Sequence, residues 1–139
     1  MKNLKYSLAV LALCIMATGC AKQTTKSTGG AKLQSVYFDF DKSDIKSEYE
    51  AALKGNAGWS NKNGKSKVEI QGNCDERGTS EYNLALGDRR AKSAQKYLGN
   101  LGVDKGRLST VSFGKEKPTC ADHNESCWWK NRRDDFVSK

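Results

Sequence analysis

Asp75 and Arg90 are the two residues of this 139-residue chain whose types and placement best suit a chemistry. Asp75 stands in a loop bounded by Gly72 and Gly78, and Arg90 lies along the helix expected to follow. An arginine can hold a carboxylate in a two-pronged pair, and an aspartate accepts from an amine, so the two converging at one mouth would grip a zwitterion. That is a chemistry of binding, and no obvious nucleophile accompanies it. An exposed Asp to Arg pair contributes only about 0 to 1 kcal/mol by itself, which makes mutual pairing a poor reason for both residues. Desolvated against a ligand, each contact can contribute roughly 1.5 to 3 kcal/mol.

Other chemistries fit less well. Cysteine-hydrolase chemistry needs a thiol and an imidazole oriented by a third group, and His123, the single histidine, sits too close to Cys120 and Cys127 to be persuasive. Gly64-Lys65-Ser66 resembles part of a phosphate loop, but Gly58 is one residue too far upstream. The chain carries a formal net charge of +8, which favours anionic partners; no recognition-helix or aromatic-interleaved basic pattern points to nucleic acid. No cofactor is expected.

The compartment is written at the N-terminus. Lys2 and Lys5 precede an apolar run from Leu8 to Ala17, far short of the roughly 20 residues that span a bilayer, so it reads as an export signal. Thr18 and Gly19 directly before Cys20 match the site at which bacterial lipoproteins are cleaved and acylated, although Ala17 replaces the usual leucine. The expected organisation is a signal peptide over 1–19, a lipidated Cys20 with a polar linker over 20–32, and one folded domain over 33–139. A coil of about a dozen residues has a root-mean-square reach of roughly 20 Å. In an oxidising compartment the odd count of cysteines left after Cys20 leaves one over. Cys120 and Cys127 flank a short polar loop and suit a disulfide, with Cys74 left as a buried thiol; a zinc site from Cys74, Cys120, His123 and Cys127 is the alternative.

The elements that must position Asp75 and Arg90 follow from periodicity. Ser35 to Phe40 alternates, with Val36, Phe38 and Phe40 on one face of a first strand. A helix capped by Asp41 or Ser43 should follow, carrying Ile45, Tyr49, Ala52 and Leu53 until Gly58 and the turn over 61–64 stop it. Val68 and Ile70 mark a second strand ending at Gly72. Thr79 caps a long helix whose buried stripe is Gly87, Ala91, Ala94, Leu98 and Leu101, and Gly102 ends it. A third strand over 108–113, a short helix over 122–130 and a solvated edge strand around 134–137 complete the chain. The fold class is α/β: a β-α-β-α-β-(α)-β order with helices packed on a mixed sheet.

With those elements in place, four blocks carry a family resemblance: YFDFDKSDI (37–45), GNCDERGTSEYNLALGDRRA (72–91), VSFGKEKP (111–118) and KNRR (130–133). In this order, behind an acylation site, the chain resembles the peptidoglycan-associated lipoproteins, whose folded part is the C-terminal domain type of the OmpA family. The resemblance implies noncovalent binding of peptidoglycan at the diaminopimelate of its stem peptide. Asp75 would take the ligand's ammonium, Arg90 would pair with a ligand carboxylate, Asp41 would be a second acidic contact, and Phe40, Thr79 and Leu86 would line the pocket. It further implies anchoring in the outer membrane through Cys20, a domain facing the periplasm, docking to TolB within the Tol system, and no enzymatic activity. Ala21, rather than an aspartate, after Cys20 fits outer-membrane transfer in that family.

Beside these roles stand plainer ones. Arg89 and Arg90 suit the solvated face of a helix, Asp75 suits closure of its own turn, and Glu76 and Arg77 read as solvated loop charges. Asn83 suits a helix-to-loop hydrogen bond, and Arg132 and Arg133 a structural role. Trp128 and Trp129, adjacent on a helix, should point apart, one into the core and one outward. Two other functions stay open: a structural lipoprotein with an inactive pocket acting only through protein partners, and a wall hydrolase.

Overall fold

A computed structural model describes residues 33–139; the expected signal peptide, the lipidation site at Cys20 and the linker lie outside the described residues. Four strands form one sheet in the order β1-β4-β2-β3: β1 Val36–Tyr37, β2 Val68–Asn73, β3 Leu108–Gly114 and β4 Arg133–Ser138. β2 and β3 run parallel, while β4 is antiparallel to both β1 and β2, so the sheet is mixed as expected. The parallel pair needs a crossover, and the long helix α2, Ser80–Asn100, supplies it. A shorter helix, α1 Glu50–Lys62, packs beside α2, and α3, Glu125–Asn131, precedes β4.

The core lies between one sheet face and the two longer helices. Val36, Val68, Ile70 and Phe136 meet Leu53 and Ala57 of α1 and Ala91, Ala94 and Leu98 of α2. The expected stripe of α2 is buried from Gly87 to Leu98, with Leu101 at its margin. Small residues let helix and sheet backbones touch: a Cβ at Gly72 would lie 2.0 Å from the Gly87 carbonyl oxygen. Thr79 caps α2 as expected, its hydroxyl accepting from the Tyr82 N–H at 3.1 Å.

Four expectations need correction. The first strand is only two residues long, because the chain turns after Phe38; Asp41 adopts φ +57°, a left-handed conformation that aspartate tolerates better than most residues. Phe40 consequently leaves the face shared by Val36 and Phe38 and is 57% exposed. Neither Asp41 nor Ser43 caps α1, which starts at Glu50 behind a 3-10 turn, Ser47–Tyr49, and runs through Gly58 to Lys62. Finally, β4 is not a solvated edge: it lies between β1 and β2, with Asp134 fully buried. Edge character was inferred from polar residue types, and tertiary packing overrode it.

Arg90 fixes the segments that frame the end of the sheet. Its side chain has no exposed surface. Nε donates to the Lys42 carbonyl at 2.8 Å, Nη2 to the Asp39 carbonyl at 3.1 Å, and Nη1 to the Asn73 carbonyl at 2.9 Å and the Cys74 sulfur at 3.5 Å. The turn after β1 and the end of β2 are thereby tied to the middle of α2. The Phe38 ring packs 5.0 Å from the guanidinium. Burial pushes the Arg90 pKa down from its ordinary value, and the neighbouring Cys74 and Asp134 oppose that shift.

Truncating Arg90 to alanine removes a donor from three backbone carbonyls; that of Asn73 is buried, where an unpaired acceptor costs about 1 to 3 kcal/mol, while that of Asp39 keeps the Lys42 N–H. Arg90→Ala is therefore expected to lower the urea midpoint, with a loss of at least about 1 to 3 kcal/mol of stability, and an unchanged midpoint would contradict this role. Asp134 behaves oppositely. Neither carboxylate oxygen has a hydrogen-bond partner among the described residues, and burial pushes its pKa well above the ordinary value against the pull of Arg90. An acid with a raised folded pKa costs stability above its unfolded pKa, near 4, and the cost vanishes once both states are protonated. Asp134→Ala should thus raise the urea midpoint at pH 7, with a gain that shrinks towards pH 4; a loss of stability at pH 7 would contradict it.

Candidate functional site

Above the plane set by Arg90, the loop over 74–79 and the turn over 39–42 enclose a cavity of about 180 Å³. Phe40, Asp41, Asp75, Leu86 and Arg90, five of the six residues expected at a ligand site, line it. Thr79 does not; its hydroxyl is occupied in capping α2. Arg77, Tyr82, Asn83 and Arg132 are also in the wall.

Asp75 is the centre of the site and is almost entirely buried. Oδ1 accepts from the Arg77 backbone N–H at 3.1 Å and from Arg77 Nε at 3.2 Å; Oδ2 accepts from Arg77 Nη2 at 2.6 Å and from Arg132 Nη1 at 3.2 Å. Burial pushes its carboxyl up, but the hydrogen bonds from Arg77 and Arg132 outweigh it and hold the pKa below the usual value. Asp75 is therefore a carboxylate at neutral pH. The turn-closing role and the charged role coexist in one side chain.

Arg90 reaches this cavity from behind. Of its five N–H groups, four are committed to carbonyls and the Cys74 sulfur, which leaves a single N–H on Nη2. The geometry has no free fork for a two-pronged hold on a carboxylate. A spacing argument places Arg90 near Asp75 but cannot reveal that its donors are spent on the backbone.

Arg77, read from sequence as a solvated loop charge, and Arg132, read as structural, line the cavity, and Glu76 lies beside them. Arg77 pairs with Asp75, and its guanidinium carbon sits between two rings, 4.0 Å from the Phe40 centroid and 4.1 Å from that of Trp128. Arg132 donates from Nε to the Phe38 carbonyl at 2.9 Å and pairs with both Asp75 and Glu125. Glu76 is exposed as expected, but it is not unpartnered: it accepts from Trp128 Nε1 at 2.7 Å and meets His123 Nδ1 at 2.7 Å. Its carboxylate holds the His123 pKa above the ordinary value. The only advance signal for Arg77 and Arg132 was their position inside the two motif blocks.

The remaining wall is supplied by helix-to-loop bonds. Asn83 donates to the Arg77 carbonyl at 2.8 Å and to the Thr79 carbonyl at 3.1 Å, as its position suggested. Asp41 accepts from the Tyr82 hydroxyl, which closes the turn over the start of α2. Cys74 is a buried thiol that donates to the Asn83 carbonyl at 3.2 Å, and burial pushes it up to about 11. Cys120 and Cys127 form a disulfide, with Cα atoms 5.4 Å apart, so their sulfurs are not available as a pair of zinc thiolates. Trp128 and Trp129 do point apart, but Trp128 covers Arg77 instead of entering the core, while Trp129 is 42% exposed beside Tyr37.

Comparison with known proteins agrees with this architecture. The model of the OmpA family matches residues 37–132. The peptidoglycan-associated lipoprotein of Haemophilus influenzae is 46% identical over 136 residues, covering 91% of this chain and 89% of that protein. The protein of the same name from Pasteurella multocida is 44% identical, with the same coverage of both chains. A crystal structure of the peptidoglycan-associated lipoprotein from Burkholderia pseudomallei superposes with a TM-score of 0.74 at 46% identity, covering 76% of this chain and 90% of that one. The chain belongs to the OmpA family, among the peptidoglycan-associated lipoproteins.

Proposed function

We propose that this protein binds peptidoglycan noncovalently through the diaminopimelate of the stem peptide, and so tethers the outer membrane to the cell wall. The observation that carries the reading is the cavity built around Asp75: a buried carboxylate with guanidinium groups in the same wall. A free diaminopimelate end presents an ammonium and a carboxylate on one carbon, which is the complement of that wall. Asp75 receives the ammonium and Asp41 is the second acidic contact. Arg90 offers its remaining N–H and its positive charge to the ligand carboxylate, and Phe40 and Leu86 enclose the carbon chain. Thr79 acts only indirectly, by fixing the first turn of α2.

The remaining parts of the reading are its anchor and its partners. An acylated Cys20 holds the chain at the periplasmic face of the outer membrane, and the linker lets the domain reach the wall. Two or more acyl chains make such anchoring stable, so weak individual wall contacts gain from a high effective concentration. Family membership supports docking of TolB and a place in the Tol-Pal cell-envelope and cell-division system. The role is one of binding and not of catalysis.

Two measurements test this. Asp75→Asn, which removes the charge and keeps the shape, should abolish co-sedimentation of the protein with purified sacculi while its circular dichroism remains that of a folded domain. Undiminished pelleting would overturn the site and favour a lipoprotein acting only through protein partners. The immobilised protein should also recover a TolB-like protein from a periplasmic extract; recovery of wall fragments alone would contradict the Tol assignment.

A further inference from the structure

Arg77 stands where a ligand's ammonium has to go. Every acceptor contact of Asp75 among the described residues is filled from within the chain, and three of the four come from Arg77 itself. A carboxylate oxygen accepts about two hydrogen bonds, so an incoming ammonium can engage Asp75 only by displacing one of these donors. Arg132 is the less movable candidate: its side chain is 7% exposed and is tied to the Phe38 carbonyl and Glu125 as well. Arg77 is 31% exposed on its side chain and opens directly onto the cavity.

The surroundings of Arg77 suit a movement of this kind. Its guanidinium sits between Phe40 and Trp128, and a flat cation can slide between two rings without losing contact with either. Glu125 Oε2 lies 3.8 Å from Nη2 on the exposed side, offering a second ionic partner to a guanidinium that leaves Asp75. Nη1 has no hydrogen-bond partner among the described residues and Nη2 uses one of its two N–H groups, so three N–H groups of Arg77 are uncommitted, against one of Arg90. The cation with the free fork in this cavity is Arg77.

We propose that Arg77 is a specificity-determining residue that works by ion exchange. The ligand's ammonium replaces the Arg77 guanidinium on Asp75, and the displaced guanidinium receives the ligand's adjacent carboxylate. This rests on the wall-binding reading above and adds a residue and a selectivity rule to it. A ligand that brings only an ammonium breaks the buried Arg77 to Asp75 pair and leaves Arg77 only the exposed Glu125, a weak exchange, so it is disfavoured. A ligand that brings only a carboxylate leaves Asp75 plugged. A zwitterionic end exchanges one ion pair for two, and only that ligand gains.

The test uses a stem peptide ending in diaminopimelate and the same peptide with the side-chain terminal carboxylate amidated, titrated calorimetrically into the protein and its Arg77→Met variant. The wild type is expected to prefer the free carboxylate by tenfold or more. In Arg77→Met that preference should collapse towards unity, because the amidated peptide gains access to Asp75 as the zwitterion loses its partner; Arg77→Lys should restore part of it. A residue that merely held the loop would weaken both peptides alike and leave their ratio unchanged, and that result overturns the exchange. If the variant does not fold, the wild-type Arg77 Nε–Hε resonance provides the answer: it should shift on adding the zwitterionic peptide, and a resonance that stays in place while the peptide binds overturns the proposal. A wild type that binds neither peptide overturns the wall-binding reading itself, and the exchange with it.

Discussion

A cation with no exposed surface holds this domain's working end together. Arg90 projects from the middle of α2 and binds carbonyls of two other segments, so the helix, the turn after β1 and the end of β2 cannot move independently. A buried charge is tolerable only when its donors are matched, and here backbone dipoles match it in place of a carboxylate. The fully buried carboxyl of Asp134 makes no hydrogen bond to it and is held towards its neutral form by burial. The positive charge of Arg90 is consequently not cancelled by an ion pair and remains part of the cavity's field.

On that base, the loop carrying Asp75 is shaped from both sides. Asn83 and the Thr79 cap hold it to α2, while Glu76 ties it to α3 through Trp128 and to the disulfide-closed segment through His123. Arg132 completes the frame by joining Asp75, Glu125 and the Phe38 carbonyl. The result is a carboxylate kept ionised inside a mostly apolar wall, which is the arrangement in which a charged contact has the most discriminating power.

Much of this was legible in the sequence, for reasons that differ by element. The α2 stripe and its Thr79 cap were readable because helix periodicity and capping are local rules. β2 was readable for the same reason, through alternation. Phe40 was misplaced because alternation cannot foresee the left-handed turn at Asp41. β4 was misplaced because Asp134 looked like an edge residue and its burial is decided by β1 and β2 closing on either side. Asp75 and Arg90 do line one cavity, but its hydrogen bonding was not foreseen. Which of several arginines pairs with one aspartate depends on where donors are already spent, and spacing carries no record of that. Arg77 and Arg132 emerge only when hydrogen bonds are counted atom by atom.

The central proposal is that the Asp75 cavity recognises the zwitterionic end of diaminopimelate. Its most direct test is a crystal structure of the protein with a diaminopimelate-ended stem peptide. The account predicts the peptide's terminal ammonium within hydrogen-bond distance of the Asp75 carboxylate, with its carboxylate against guanidinium N–H groups of the same wall. A peptide bound elsewhere on the domain, with Asp75 still enclosed by Arg77 and Arg132, would contradict it.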